Sequence, residues 1–124
     1  MRRGRPTKKK KSPMELSLQL LRKEGYRCGI TEKWNPFAKV RNDLHGYVDI
    51  EALNATRNIA LHVQTTTLSN INARINKIKE GSAWLDWLAI SPTHKIEVHG
   101  WALQRERGTK RFHYEVRRIE INGV

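Results

Sequence analysis

The chain has 124 residues, with 24 Lys and Arg against 12 Asp and Glu, a formal net charge of +12 and 38% hydrophobic residues. A chain of this length buries roughly two-thirds of the surface its unfolded form exposes, enough for one core and not for two. The single Cys28 excludes an internal disulfide framework, and no apolar stretch approaches the roughly 20 residues that span a bilayer.

The basic excess is uneven. Arg2, Arg3, Arg5, Lys8, Lys9, Lys10 and Lys11 precede the first acid, Glu15, and carry +7, which leaves +5 for the rest. Residues 1–11 have no hydrophobic period and read as a flexible arm, with residues 12–124 as the folded domain. The basic start imitates a signal peptide, but Arg22, Lys23 and Glu24 follow the apolar run with no small-residue cleavage site. Together these features predict a cytoplasmic protein with a polyanionic partner and no membrane.

Taken in order, Ser12-Pro13-Met14-Glu15 is a capping box with Pro at the first helical position, and Leu16, Leu18, Leu20 and Leu21 give a helix with an apolar face up to Gly25. Tyr26 to Thr31 reads as a strand, and Trp34-Asn35-Pro36 opens a loop reaching to about Asn42. Tyr47 to Leu53 and Ile59 to Thr66 alternate as two strands of a hairpin turned at residues 54–58. From Ser69 the period becomes helical, with Ile71, Ile75 and Ile78 on one face and Gly81 as the stop. A short helix over Ser82 to Ala89 ends at Pro92. Lys95 to Gln104 and Phe112 to Ile121 then alternate as strands around a polar turn. This order predicts an α/β architecture, a central mixed sheet of about five strands flanked by helices.

Two features point to chemistry. In the arm, Arg2-Arg3-Gly4-Arg5-Pro6 resembles an AT-hook: two arginines flanking a glycine enter a narrow A·T-rich minor groove, and the proline holds the backbone extended. Read without that resemblance, it is a solvated basic tail that binds phosphate generically. In the central hairpin, alternation places Asp49 and Glu51 on one face with Val48, Ile50 and Ala52 on the other. On the next strand His62, Gln64 and Thr66 share a face. Acidic and oxygen-bearing side chains on adjoining faces are what a hard divalent cation needs, and they are equally what the wet face of an amphipathic strand carries. The five histidines show no cysteine partner at zinc spacing. Trp84, Trp87 and Trp101 read as core residues. Trp34, in its loop beside Lys39 and Arg41, is the candidate for stacking on a base.

An N-terminal helix bearing a glutamate, the strand Gly46-Tyr47-Val48-Asp49-Ile50-Glu51-Ala52, the strand Leu61-His62-Val63-Gln64-Thr65-Thr66 and a following basic helix resemble, in that order, the PD-(D/E)XK nuclease superfamily. That superfamily includes restriction endonucleases and Holliday-junction resolvases. Residues 32–46 look like a segment of small nuclease-like proteins of bacteriophages, and the overall likeness covers about residues 14 to 103. It implies a restriction endonuclease-like fold and a phage- or prophage-encoded, Mg²⁺- or Mn²⁺-dependent DNA endonuclease acting in a bacterial host on duplex or branched DNA, with pairing of two subunits compatible with it.

By position, the resemblance makes Asp49 the central metal-binding aspartate. Gln64 stands where most members have a second acid and Thr66 where most have lysine. Glu15 matches a helix glutamate that assists the metal in some members. Asp43 is either a further ligand or a cap for the turn before Gly46, and Glu15 is equally explained by its capping box. Thr66 cannot supply the missing positive charge, so Arg74 or Lys77 on the following helix takes that role beside the phosphate. Two other functions are compatible with these residues: a non-catalytic DNA-binding module with a degraded site, and an RNA-binding accessory protein.

Overall fold

A computed structural model describes residues 10–123. The arm residues Arg2, Arg3, Arg5, Lys8 and Lys9 lie outside this range, and Lys10 and Lys11 are exposed at its start.

Helix α1 (Pro13–Lys23) begins as its residues dictate. Ser12 accepts from the Glu15 amide and the Glu15 carboxylate reaches back to the Ser12 amide, so two otherwise unpaired donors are satisfied at once. Seven strands follow the capped helix: β1 (Arg27–Ile30), β2 (Lys33–Asn35), β3 (Val40–Asn42), β4 (Ile50–Asn54), β5 (Ile59–Thr67), β6 (His94–Arg105) and β7 (Phe112–Glu120). Between β5 and β6 lie a 3₁₀ turn at Leu68–Asn70, α2 (Ile71–Glu80) and α3 (Ala83–Ile90). β1, β4, β5, β6 and β7 form one mixed sheet in that order. Only β5 and β6 run parallel, and the two helices provide the crossover that parallel neighbours require.

Both faces of the sheet are covered. Leu18 and Leu21 of α1 pack with Tyr26, Ile50, Ala52, Leu61 and Val63 on one face; Ile71 and Ile78 of α2 pack with Tyr47, Val48, Ile96, Val98 and Ile121 on the other. β5 therefore gives Leu61 and Val63 to α1 and turns His62, Gln64 and Thr66 toward α2 and α3, as period-two alternation demands. The start of α2 lies so close to β6 that a Cβ at Gly100 would stand 2.9 Å from Ile71 Cδ1 and 3.2 Å from the Leu68 backbone, so glycine is what lets α2 sit down on the sheet.

A polar network ties α1 to the far strands. The Trp101 indole donates to Ser17 Oγ (2.8 Å), the Ser17 hydroxyl meets His99 Nδ1 (2.9 Å), and His99 Nε2 meets Glu97 Oε1 (2.8 Å). Arg118 on β7 closes it by donating to both Glu97 and Glu24. Because Nε2 faces a carboxylate it carries the proton, and each remaining group then has one role as donor or acceptor. The Ser-His-Glu order imitates a nucleophilic triad, but Ser17 and His99 are fully buried and out of reach of any substrate.

Two expectations from the sequence change. Residues 33–42 are a two-stranded hairpin rather than a loop: β2 and β3 pair antiparallel, outside the main sheet. The strand expected from Tyr47 begins at Ile50 instead. The chain bends at Asp49, so Val48 packs beneath α2 while Ile50 packs beneath α1. Val48 and Ile50 thus lie on opposite faces, against the alternation read from the sequence, because the pleat is not continuous through Asp49.

Candidate metal and phosphate site

Asp49 occupies that bend, and its position is fixed from three directions. Its carbonyl accepts from the Thr31 amide (2.9 Å) and its amide donates to the Val63 carbonyl (2.9 Å). Its carboxylate accepts from the Thr65 amide (2.8 Å) and the Thr65 hydroxyl (3.2 Å). The Thr31 hydroxyl also donates to the Val48 carbonyl (2.7 Å), which brings the next residue, Glu32, alongside Asp49. From Glu32 the chain runs out through β2 and back through β3 to Asp43. Both roots of the hairpin therefore end in a carboxylate next to Asp49.

Carboxylate oxygens of Glu32, Asp43 and Asp49 lie within 4.8 Å of one another. They line a cleft of about 290 Å³ with Gln64 and Thr65 of β5, Arg41 of β3 and Arg74 and Lys77 of α2. Asp43 Oδ2 accepts from Gln64 Nε2 (3.2 Å), and Arg41 pairs with Glu32 (3.0 Å). The turn before Gly46 uses the Asp43 main chain, whose carbonyl accepts from the Gly46 amide, so the side chain is left for the cleft.

Asp49 is 5% exposed. Burial pushes its pKa up from the ordinary aspartate value to about 7; the Thr65 amide opposes the rise, and the neighbouring charges of Asp43 and Glu32 add to it. Gln64 is 3% exposed, and its Oε1 has no hydrogen-bond partner although its Nε2 is engaged. Three crowded carboxylates are an all-oxygen donor set, of which Glu32 alone is ion-paired among the described residues. Such a set fits a hard divalent cation and does not fit a thiophilic metal.

The other residues singled out in the sequence fall elsewhere. Thr66 is buried in β5 and does not line the cleft. Glu15 is spent on its capping box and is absent from the acidic cluster; Glu32 provides the third carboxylate in its place. His62 lies on the same face of β5 as Gln64 but belongs to a different cluster. It stacks on Trp87 with centroids 3.5 Å apart, bonds Glu51 through Nε2, and meets the Tyr47 hydroxyl through Nδ1. Burial lowers its pKa against the opposing pull of Glu51. Trp87 is in turn stacked on His94, and its indole donates to the Lys95 carbonyl. Trp34 is 58% exposed on β2, directly opposite Arg41 in the hairpin register. Comparison of the chain with protein-family models, with curated proteins and with solved structures finds no match.

Proposed function

We propose that the chain is a nucleic-acid-binding, divalent-cation-dependent phosphodiesterase, a DNA endonuclease of the restriction endonuclease-like type. One observation carries this reading: three carboxylates share a single cleft with Arg74 and Lys77. Cations alone would suffice to hold phosphate. Three acids at the same point repel phosphate unless a cation lies between them, and a simple anion-binding surface has no use for them.

Glu32, Asp43 and Asp49 would hold Mg²⁺ or Mn²⁺, with Gln64 alongside. Bound there, such an ion supplies Lewis-acid stabilisation of the phosphate and lowers the pKa of water. The residues of the chain do the rest. Thr65 fixes the Asp49 carboxylate through two hydrogen bonds. The Asp43 carboxylate, by accepting from Nε2, sets the orientation of the Gln64 amide and leaves Oε1 free. Arg74 and Lys77, projecting from one face of α2 at i and i+3, supply the positive charge that Thr66 cannot give and that a phosphate needs as its negative charge grows. The excess charge of +12 draws the polyanion to the surface.

The test is incubation with plasmid, flap, junction and RNA substrates in Mg²⁺ or Mn²⁺, alongside Arg74→Ala. Wild-type protein is expected to cut DNA, and Arg74→Ala to cut it ~10-fold or more slowly with ion binding by calorimetry retained. Ion binding without cleavage of any substrate would point to the non-catalytic module, and neither ion binding nor cleavage would defeat the proposal.

A further inference from the structure

The hairpin between Glu32 and Asp43 carries features that ion binding does not explain. Its tip bears Phe37, 96% exposed, and its strands bear Trp34 and Val40, also exposed. Apolar side chains held out in water on a two-stranded ribbon contribute nothing to a core. The turn that carries Phe37 is also defined by local contacts. The Asn35 side chain accepts from the Phe37 amide (3.0 Å) and the Ala38 amide (3.1 Å), Pro36 restricts the backbone just before Phe37, and Lys39 closes the turn with φ 54°. Lys39 is exposed in the same turn, and Lys33 and Arg41 are exposed nearer the two roots of the hairpin. An aromatic projecting from the tip of a ribbon whose strands carry exposed cations suits a nucleic-acid end, where phosphates meet the cations and an unstacked base meets the ring. An apolar protein surface would leave three cations desolvated against it.

The hairpin also has a fixed relation to the cleft. Trp34 and Arg41 are cross-strand partners and share one face of the ribbon, and Arg41 lines the cleft. Glu32 and Asp43, at the two roots, belong to the acidic cluster. Phe37 is five residues beyond Glu32, two of them in the turn, so at ~3.3 Å per residue its reach is at most about 16 Å. Measured along duplex DNA at 3.4 Å per base pair, that is about five base pairs.

We propose that the β2–β3 hairpin is a wedge for interrupted duplex DNA: Phe37 stacks on the last base pair at a fork, flap or junction, and the hairpin places a phosphate within about five base pairs of that end at the cleft. Intact duplex offers Phe37 no exposed base face, so the wedge selects branched over uninterrupted DNA. The predicted spacing rests on the phosphodiesterase reading of the cleft; the stacking does not.

The experiment uses the full chain with a forked duplex and an uninterrupted duplex of the same sequence, each carrying 2-aminopurine at the position of the branch. Binding is measured in Ca²⁺ and cleavage is mapped in Mn²⁺. Expected are ~10-fold tighter binding to the fork, a 2-aminopurine change on the fork alone, and cuts within about five base pairs of the branch. Phe37→Ala should remove the preference and the fluorescence change while leaving duplex affinity as it was, and Phe37→Trp should keep both. Phe37 is almost wholly exposed, so neither substitution disturbs a core. Equal affinity of wild type for fork and duplex, an unchanged preference in Phe37→Ala, or no DNA binding at all would overturn the wedge. Fork preference dependent on Phe37 but without cleavage would uphold the wedge and defeat the phosphodiesterase. Cleavage indifferent to Phe37 would do the reverse.

Discussion

Asp49→Asn is expected to abolish divalent-ion binding and to slow DNA cleavage by at least ~10²-fold, while making the ion-free protein more stable at pH 8. The two effects have one cause. Asp49 is buried beside Asp43 and Glu32, and its pKa is raised to about 7. A carboxyl whose folded pKa exceeds its unfolded value binds protons more tightly in the native state. Its contribution to stability is therefore fully present below the unfolded aspartate value near 3.8 and is lost as pH rises through about 7. At 1.36 kcal/mol per unit, the upper bound of that loss is about 4 kcal/mol. Asparagine keeps an oxygen to accept from the Thr65 amide and hydroxyl but carries no charge, so its stability lacks this fall.

The measurement is chemical denaturation of both proteins in EDTA at pH 4.5 and pH 8, compared at each pH so that the general effect of net charge cancels. The curves should nearly coincide at the lower pH and separate at the higher one in favour of the variant. Adding Mg²⁺ or Mn²⁺ at pH 8 should stabilise wild type and leave Asp49→Asn unchanged. An ion that stabilises both proteins equally would show that the acidic cluster is not where it binds.

Glu97→Ala is expected to behave in the opposite way, with stability reduced by about 3 kcal/mol and ion binding retained. Glu97 accepts from His99 and from Arg118 on the α1 side of the sheet, whereas the cleft opens on the α2 side. Burial alone would raise the pKa of Glu97, but His99 and Arg118 together bring it below the ordinary glutamate range. Removing the carboxylate leaves a half-buried guanidinium with one partner, Glu24, and a buried imidazole N–H with none. For a chain of this size the loss corresponds to roughly 10 °C in Tm. A carboxyl whose folded pKa is depressed contributes stability above the unfolded value and loses it as pH falls through the folded one. Wild type should therefore lose part of its advantage over Glu97→Ala on acidification below pH 4. A loss below 1 kcal/mol at neutral pH would mean that solvent replaces Glu97 at little cost.

How far the sequence anticipates these features depends on whether burial left a pattern. β5 is legible because apolar Leu61 and Val63 alternate with polar His62 and Gln64, although all four are buried, and α2 because it buries Ile71 and Ile78 against Arg74 and Lys77. Asp49, Gln64, Asp43, Arg74 and Lys77 all line one cleft, but the sequence grouped them through the resemblance to the nuclease superfamily and not through alternation, which fails at Asp49. The β2–β3 hairpin leaves no such pattern, because its strands are three residues long and its apolar residues face water. Without the hairpin Glu32 is an isolated acid in a loop, eleven positions from Asp43. The signal that could have exposed it is the symmetry of two acids flanking a short stretch rich in aromatic and basic residues. The bend at Asp49 is hidden for a related reason: period-two reading assumes an unbroken pleat, and Thr31, Val63 and Thr65 hold this residue where the pleat breaks.

Because Glu32 and Asp43 enter the acidic cluster from the two ends of residues 33–42, an ion held by both would close a ten-residue loop at its base. Closing a loop lowers the entropy left for its tip to lose on docking. The ion and a branched DNA end would then each tighten the other by the same factor, as reciprocal linkage demands. Amide hydrogen exchange over residues 33–42 should slow on adding Mn²⁺ at pH 8, and slow in the same way whether or not Phe37 is present; exchange indifferent to the ion would uncouple the two. Preorganisation of the hairpin would then be conferred by the same ion that serves the chemistry, so that a chain without its ion would lose both the reaction and the sharpness with which it chooses a substrate.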